Sequence, residues 1–142
     1  MQEYVRKAVA LAKKQDGIVH NRRLKRLVEK MTGRPIGARW RYYDKAIKDE
    51  CLDDGHAYVP YNKHWWYDPP FTILIEWILI TLKRHEAEII RASRAASLPQ
   101  YRKTQEAQTK SDEVVEHLDR LISELQGARD SIRKAQPGID QP

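Results

Sequence analysis

The residues able to do chemistry begin with a run of cations: Arg22, Arg26, Lys30, Arg34, Arg39, Arg41, Lys45 and Lys48, with Tyr42 among them and Asn62 and Lys63 further on. Guanidinium and ammonium groups repeated over a short stretch suit a polyanion, phosphates being met by charge and base edges by planar hydrogen bonding. His20, Cys51, His56 and His64 could ligate zinc. Their spacing matches no compact ligand pattern and Cys51 falls on an apolar face, so no metal site is assigned. The acids Asp49, Glu50, Asp53 and Asp54 could hold magnesium for a nuclease, but they read better as a solvated helix end. Trp65, Trp66 and Tyr67 could stack on unpaired bases, although packing is the commoner fate of such rings. Neither a glycine-rich phosphate loop nor a G-x-S-x-G elbow occurs, and no nucleophile and base can be paired. The expectation is a binding protein rather than an enzyme, with no cofactor.

Charge supports this. The chain of 142 residues carries a formal charge of +6. Residues 1–70 hold 15 Lys and Arg against 9 Asp and Glu, while residues 71–142 hold 11 against 11, so the whole excess lies in the first half. A local positive field of this kind points to nucleic acid before membrane, because no long basic amphipathic anchor accompanies it. A single cysteine excludes an intrachain disulfide and fits a reducing compartment. The start lacks a signal-peptide core, and the most apolar run, Phe71 to Leu82, is too short to span a bilayer. A cytoplasmic protein of a prokaryote or one of its viruses is expected.

The cations need elements to position them. Tyr4, Val5, Ala8, Val9, Leu11 and Ala12 recur at helical spacing over residues 3–15, ending at Asp16-Gly17. Ile18-Val19-His20 is a connecting strand or extended link. Asn21 reads as the N-cap of a second helix, with Leu24, Leu27, Val28 and Met31 inward and Arg22, Arg26 and Lys30 outward. The breaker-rich turn from Thr32 to Gly37 leads to a third helix over Gly37–Leu52. There Trp40, Tyr43, Ile47 and Cys51 share one sector while Arg41, Tyr42, Lys45 and Lys48 point the other way. From His56 the period falls to 2. His56–Val59 and His64–Tyr67 read as strands joined by a four-residue loop, Pro60 to Lys63, and one of Trp65 and Trp66 must pack inward.

Helix, short strand, helix, helix, hairpin is the element order of the winged helix-turn-helix superfamily, which residues 1–68 resemble in that order and in the positions of Gly17, Gly33, Gly55 and the hairpin tip. The resemblance implies that residues 37–52 enter the DNA major groove and that Pro60 to Lys63 form a wing along the backbone. The turn from Thr32 to Gly37 is longer than the tightest members use. Arg41, Tyr42 and Lys45 are then the base readers, and Arg22, Arg34, Arg39, Lys48 and Lys63 hold phosphates.

Asp68-Pro69-Pro70 reads as a helix start. A seam follows of apolar or small residues at 71, 75, 78 and 82, then His85, Ile89, Ala92 and Ala96, and Leu98-Pro99 breaks the run. A last helix, from near Tyr101 or Ser111, carries Val114, Leu118, Leu121, Leu125, Ala128 and Ile132. Two heptad-patterned helices with a short link predict an antiparallel hairpin over residues 69–135 whose spare apolar surface drives self-association through Ile75, Ile78, Leu82, Ile89, Val114, Leu118, Leu121 and Leu125. Residues 136–142 read as a disordered tail. The expected whole is a mainly helical, dimeric regulator of transcription binding double-stranded DNA, with the layout of PadR-type repressors. The alternatives are a ring-forming adaptor resembling viral small terminase subunits and a phage-encoded inhibitor docking on a host protein through Trp65, Trp66 and residues 71–82.

Overall fold

A computed structural model of the chain describes residues 1–135, so the expected tail at 136–142 lies outside the described residues. The molecule is mainly helical with one small sheet, and it divides into two compact units, Met1–Trp77 and Ile78 onward. No helix among the described residues is long and apolar enough to cross a membrane.

In the first unit the order is α1 (Glu3–Lys14), β1 (Ile18–His20), α2 (Asn21–Thr32), α3 (Trp40–Asp53), β2 (Tyr58–Tyr61) and β3 (His64–Tyr67). The apolar spacing read from the sequence decides what is buried: Tyr4, Val5, Ala8 and Ala12 from α1, Leu24 and Val28 from α2, Ile47 and Cys51 from α3. Onto these close Val19, Tyr58 and Trp65 from the sheet, while Val59 is buried on its other face. Each large side chain sealed here stabilises the unit by roughly 1.5–3 kcal/mol. Two polar ties run through this packing. The Tyr58 hydroxyl donates to the Ala8 carbonyl at 3.1 Å, and the Trp65 indole donates to Asn21 Oδ1 at 3.1 Å. Of the tryptophan pair, Trp65 is the inward one, at 1% exposure, while Trp66 is half-buried with its indole on the Tyr61 carbonyl.

The sheet is antiparallel with order β1-β3-β2, so Ile18-Val19-His20 is a true strand rather than a link. Gly17 permits its entry: φ is +84°, its carbonyl accepts from Tyr67 N at 2.8 Å, and a Cβ would lie 3.1 Å from the Tyr67 carbonyl oxygen. The expected four-residue loop is corrected to a two-residue turn. Asn62 and Lys63 have φ of +53° and +63°, a pair of left-handed residues that matches the twist of the flanking strands, and Pro60 and Tyr61 belong to β2. Pro60 is tolerated because β2 is an edge, and beyond a two-residue turn its position pairs without a ladder bond to β3.

Other boundaries also shift. The residue capping α2 is His20, whose Nδ1 accepts from Arg22 N at 3.1 Å, while Asn21 is already helical and serves Trp65. The third helix begins at Trp40 after a short 3-10 turn over Gly37–Arg39, instead of at Gly37. Asp68 does not cap the next helix. At φ +45° it turns back to the hairpin base, where its carboxylate accepts from Ala57 N at 2.9 Å and meets His56 Nδ1 at 2.6 Å.

The long helix α4 (Phe71–Ala96) runs from the first unit into the second, where a 3-10 turn at Pro99–Tyr101 leads to α5 (Gln105–Lys134). Thus α5 starts at neither Tyr101 nor Ser111; Thr104 caps it, accepting from Ala107 N at 3.0 Å. Side-chain bonds fix an antiparallel register within this unit: Ser93 to Asp119 at 3.1 Å, and Glu86 to Gln126 at 2.9 Å and to Arg129 at 2.8 Å. The heptad reading is half right. Leu82, Ile89, Leu118 and Leu125 are partly buried as expected, and the alternate positions are corrected by one residue. Ile75 is buried and Ile78 partly buried as expected, but Leu79, Glu86 and Ser93 are buried as well, whereas 85 and 92 are exposed. On α5, Val115, Ile122 and Arg129 are partly buried while Val114 and Leu121 remain 48% and 45% exposed.

Candidate nucleic-acid interface

The site begins with α2, whose inward residues Leu24 and Val28 are fully buried. That orientation turns Arg22, Arg23, Arg26 and Lys30 to solvent. The one acid of the helix, Glu29, forms no ion pair with them; its Oε1 accepts from Ile36 N at 3.3 Å and holds the following turn. Gly33 closes the helix in the left-handed conformation, φ +68°, with its N–H on the Glu29 carbonyl at 2.8 Å. The buried Ile36 then pins the chain before the 3-10 turn. Lys25 lies over the Trp40 ring, 5.3 Å from its centroid, and ties the outer side of α2 to the start of α3.

Along α3 the cations divide into two kinds. Arg39 and Arg41 are exposed and have no carboxylate at ion-pair distance among the described residues, and Tyr42 beside them is 64% exposed. Lys45 sits 2.7 Å from Asp49, and Lys48 sits 3.1 Å from Asp44. The hydrogen bond and charge of Asp49 hold the Lys45 amine above its ordinary pKa. The free positive charge therefore occupies α2, the turn and the first residues of α3, whereas the rest of α3 answers its own.

The hairpin tip joins this surface at the other end of α2. Asn21 N donates to the Lys63 carbonyl at 3.0 Å, and the His20 and His64 rings meet edge to face at 5.1 Å. His64 Nδ1 meets the Asn62 carbonyl at 2.8 Å across the turn. Exposed Asn62 and Lys63 are thus held beside Arg22, Arg34 follows the opposite end of α2, and exposed Arg39 and Arg41 flank Trp40, whose ring lies against Lys25 and Trp65. The twelve residues of α2 make it about 18 Å long.

Comparison with family models, with curated proteins and with solved structures returns no match. The reading of this surface therefore rests on its own geometry.

The remaining candidate residues go to separate partners. His20 caps α2, His64 faces the Asn62 carbonyl, His56 faces Asp68, and Cys51 is buried, its thiol pushed up to about 11 by burial first and by Asp54 second. Among the described residues no three potential metal ligands come together. In the acidic run, Asp49 pairs with Lys45 and Glu50 Oε1 accepts from Gln2 N at 3.0 Å. Sequence reasoning passed over Arg23 and Lys25, although both lie within the same amphipathic helix. An outward arc wider than the three cations at i, i+4 and i+8 was the signal available for them. Of the residues expected to join copies of the chain, Ile75 is buried, Ile78, Leu82, Ile89, Leu118 and Leu125 are partly covered, and Val114 and Leu121 are the open ones.

Proposed function

We propose that the first unit is a winged helix-turn-helix binder of double-stranded DNA and that the second makes it a dimer, the simplest use being regulation of transcription. The observation that carries this reading is the set of exposed cations without ion-pair partners among the described residues: Arg22 and Lys63 at the start of α2, Arg26 and Lys30 along it, Arg34 after its end, and Arg39 and Arg41 at the start of α3. At about 18 Å, α2 exceeds the roughly 12 Å width of the major groove, so Arg22 with Lys63 at one end and Arg34 after the other suit phosphates on its opposite edges. Tyr42 and Arg41 then reach base edges from the start of α3. Duplex is favoured over single strands because, of the three adjacent hairpin rings that could stack on unpaired bases, Trp65 is sealed in the core and Trp66 and Tyr67 are half-buried. Burial of Trp65 likewise removes it from the contact surface of the inhibitor reading.

Dimerisation rests on Val114 and Leu121, one heptad apart on α5 and about half exposed. A second hairpin laid on that face forms a four-helix bundle. Two copies related by a twofold axis call for an inverted-repeat site with half-sites spaced by whole turns of DNA.

Selection of bound fragments from random duplexes, with a mass measurement of the complex, tests both parts. An inverted repeat bound by a dimer is the expected outcome. A closed ring of many subunits supports the packaging adaptor instead, and no retention of duplex at low salt removes the DNA reading altogether.

A further inference from the structure

A cleft of about 360 Å³ opens in the first unit between α1, the end of α3 and the base of the hairpin. Arg6, Val9 and Lys13 line it from one stripe of α1, at i, i+3 and i+7, and Asp54 lines it from the end of α3. None of these three charged groups has an opposite charge at ion-pair distance among the described residues. Asp68, bonded to His56 and Ala57 N at the base of the hairpin, does not line the cleft and pairs with neither cation. Tyr67 supplies an apolar wall: His56 stacks on it at 5.2 Å and 28°, and the Lys13 ammonium lies 6.0 Å from its ring centre.

We propose that this cleft binds a small zwitterion with the charge layout of a free α-amino acid, its carboxylate on Arg6 and Lys13, its ammonium on Asp54 and its side chain against Val9 and Tyr67. A simple anion meets repulsion from Asp54 and a simple cation meets it from Arg6 and Lys13, so only a ligand carrying both charges satisfies the three groups at once. The volume lies at the small end of ligand pockets, about 300–1,000 Å³. Burial raises the pKa of the Tyr67 hydroxyl, in keeping with a poorly hydrated wall. The assignment does not depend on DNA binding.

The test is calorimetry of the full chain against each standard free amino acid at about 10 mM, a range that detects millimolar affinity. Amino acids with apolar or aromatic side chains are expected to bind. Their N-acetyl and carboxamide derivatives, each lacking one charge, are expected to bind at least tenfold more weakly. Asp54→Asn and Lys13→Ala should each lose at least tenfold, while Lys7→Ala, exposed on α1 but outside the lining of the cleft, should lose nothing. Absence of binding by every amino acid overturns the proposal, and so does equal binding of the charge-blocked derivatives, a result independent of whether any variant folds.

Discussion

The two units treat charge in opposite ways. The first builds its interior from rings and aliphatic chains and leaves Arg22, Arg26, Lys30, Arg34, Arg39 and Arg41 outside without acidic partners. The second draws one pair inward, Glu86 at 8% exposure meeting Arg129 within the helical seam, and pairs Arg102, Lys110 and Arg120 with Asp112, Glu106 and Glu116 on its surface. Unpaired surface cations raise the local field at little cost in packing, so they are suited to an outside polyanion. A buried pair adds little net stability but penalises any register that separates its members. One unit is thus arranged for an external partner and the other for a single internal alignment.

Removing the largest ring should break this contrast most visibly. Trp65→Ala takes out a side chain at 1% exposure that meets Trp40 at 6.0 Å and Tyr58 at 5.4 Å, and it orphans Asn21. A loss of about 3–5 kcal/mol is expected in denaturant unfolding of the first unit. Helical signal from α5 should outlast it. Simultaneous loss of both signals would show that the units do not unfold separately.

In the seam, Glu86→Ala strands the Arg129 guanidinium and should cost roughly 3 kcal/mol. The double change Glu86→Leu with Arg129→Leu should be close to neutral or stabilising, because it removes both desolvated charges together. If the double variant were as unstable as the single one, the pair would be a source of stability rather than of alignment.

The pattern of these two predictions also shows what the sequence made legible. Apolar periodicity found the helices, the sheet's position and the inward faces of α1, α2 and α3, because those faces are apolar without interruption. It placed one heptad position correctly in each long helix and missed the other, since Glu86, Ser93 and Arg129 are polar and an apolar template steps past them to His85, Ala92 and Ala128. The hairpin turn was hidden by Pro60, which looks like a loop residue until β2 is seen to be an edge, and by Lys63, an unusual occupant of a left-handed position. The cap of α2 was hidden because an imidazole nitrogen does the work normally done by a short oxygen side chain. Of the interface, the cations were legible and their pairing was not. That Lys45 and Lys48 meet Asp49 and Asp44 is an i, i+4 fact, but which carboxylates stay free depends on Glu29 being drawn into the turn.

The division of cations sharpens into two binding measurements. Arg41→Ala should reduce discrimination between a selected site and random duplex by about 1–3 kcal/mol, as expected for a base-reading group. Equal losses on both duplexes would move Arg41 to the phosphate set. Arg26→Ala should weaken binding to all sequences alike and flatten the salt dependence by about 0.9 in slope. Lys48→Ala should do less than Arg26→Ala, because Lys48 is already compensated by Asp44 and its removal frees a carboxylate only where both side chains are partly covered. Equal slopes for the two variants would mean that pairing within α3 does not screen it.

The smallest effect concerns the interior of the first unit and appears only in alkali. Burial raises the Cys51 thiol to about 11 and the Tyr4 hydroxyl to about 12, so the folded state binds these protons more tightly than the unfolded chain does. Stability from such groups is complete below their unfolded values, near 8.5 for cysteine and 10 for tyrosine, and is lost as pH rises through the folded ones. Unfolding midpoints should therefore begin to fall near pH 9 on account of Cys51, and further above pH 10 once Tyr4 contributes. Cys51→Ala leaves a small cavity and so starts below the wild-type chain at neutral pH. Because the variant has no thiol to ionise, its deficit should narrow between about pH 9 and 11. A deficit that stays constant across that interval would mean that the thiolate is tolerated where it stands, and that the interior of the first unit is less hostile to charge than its uniformly apolar lining implies.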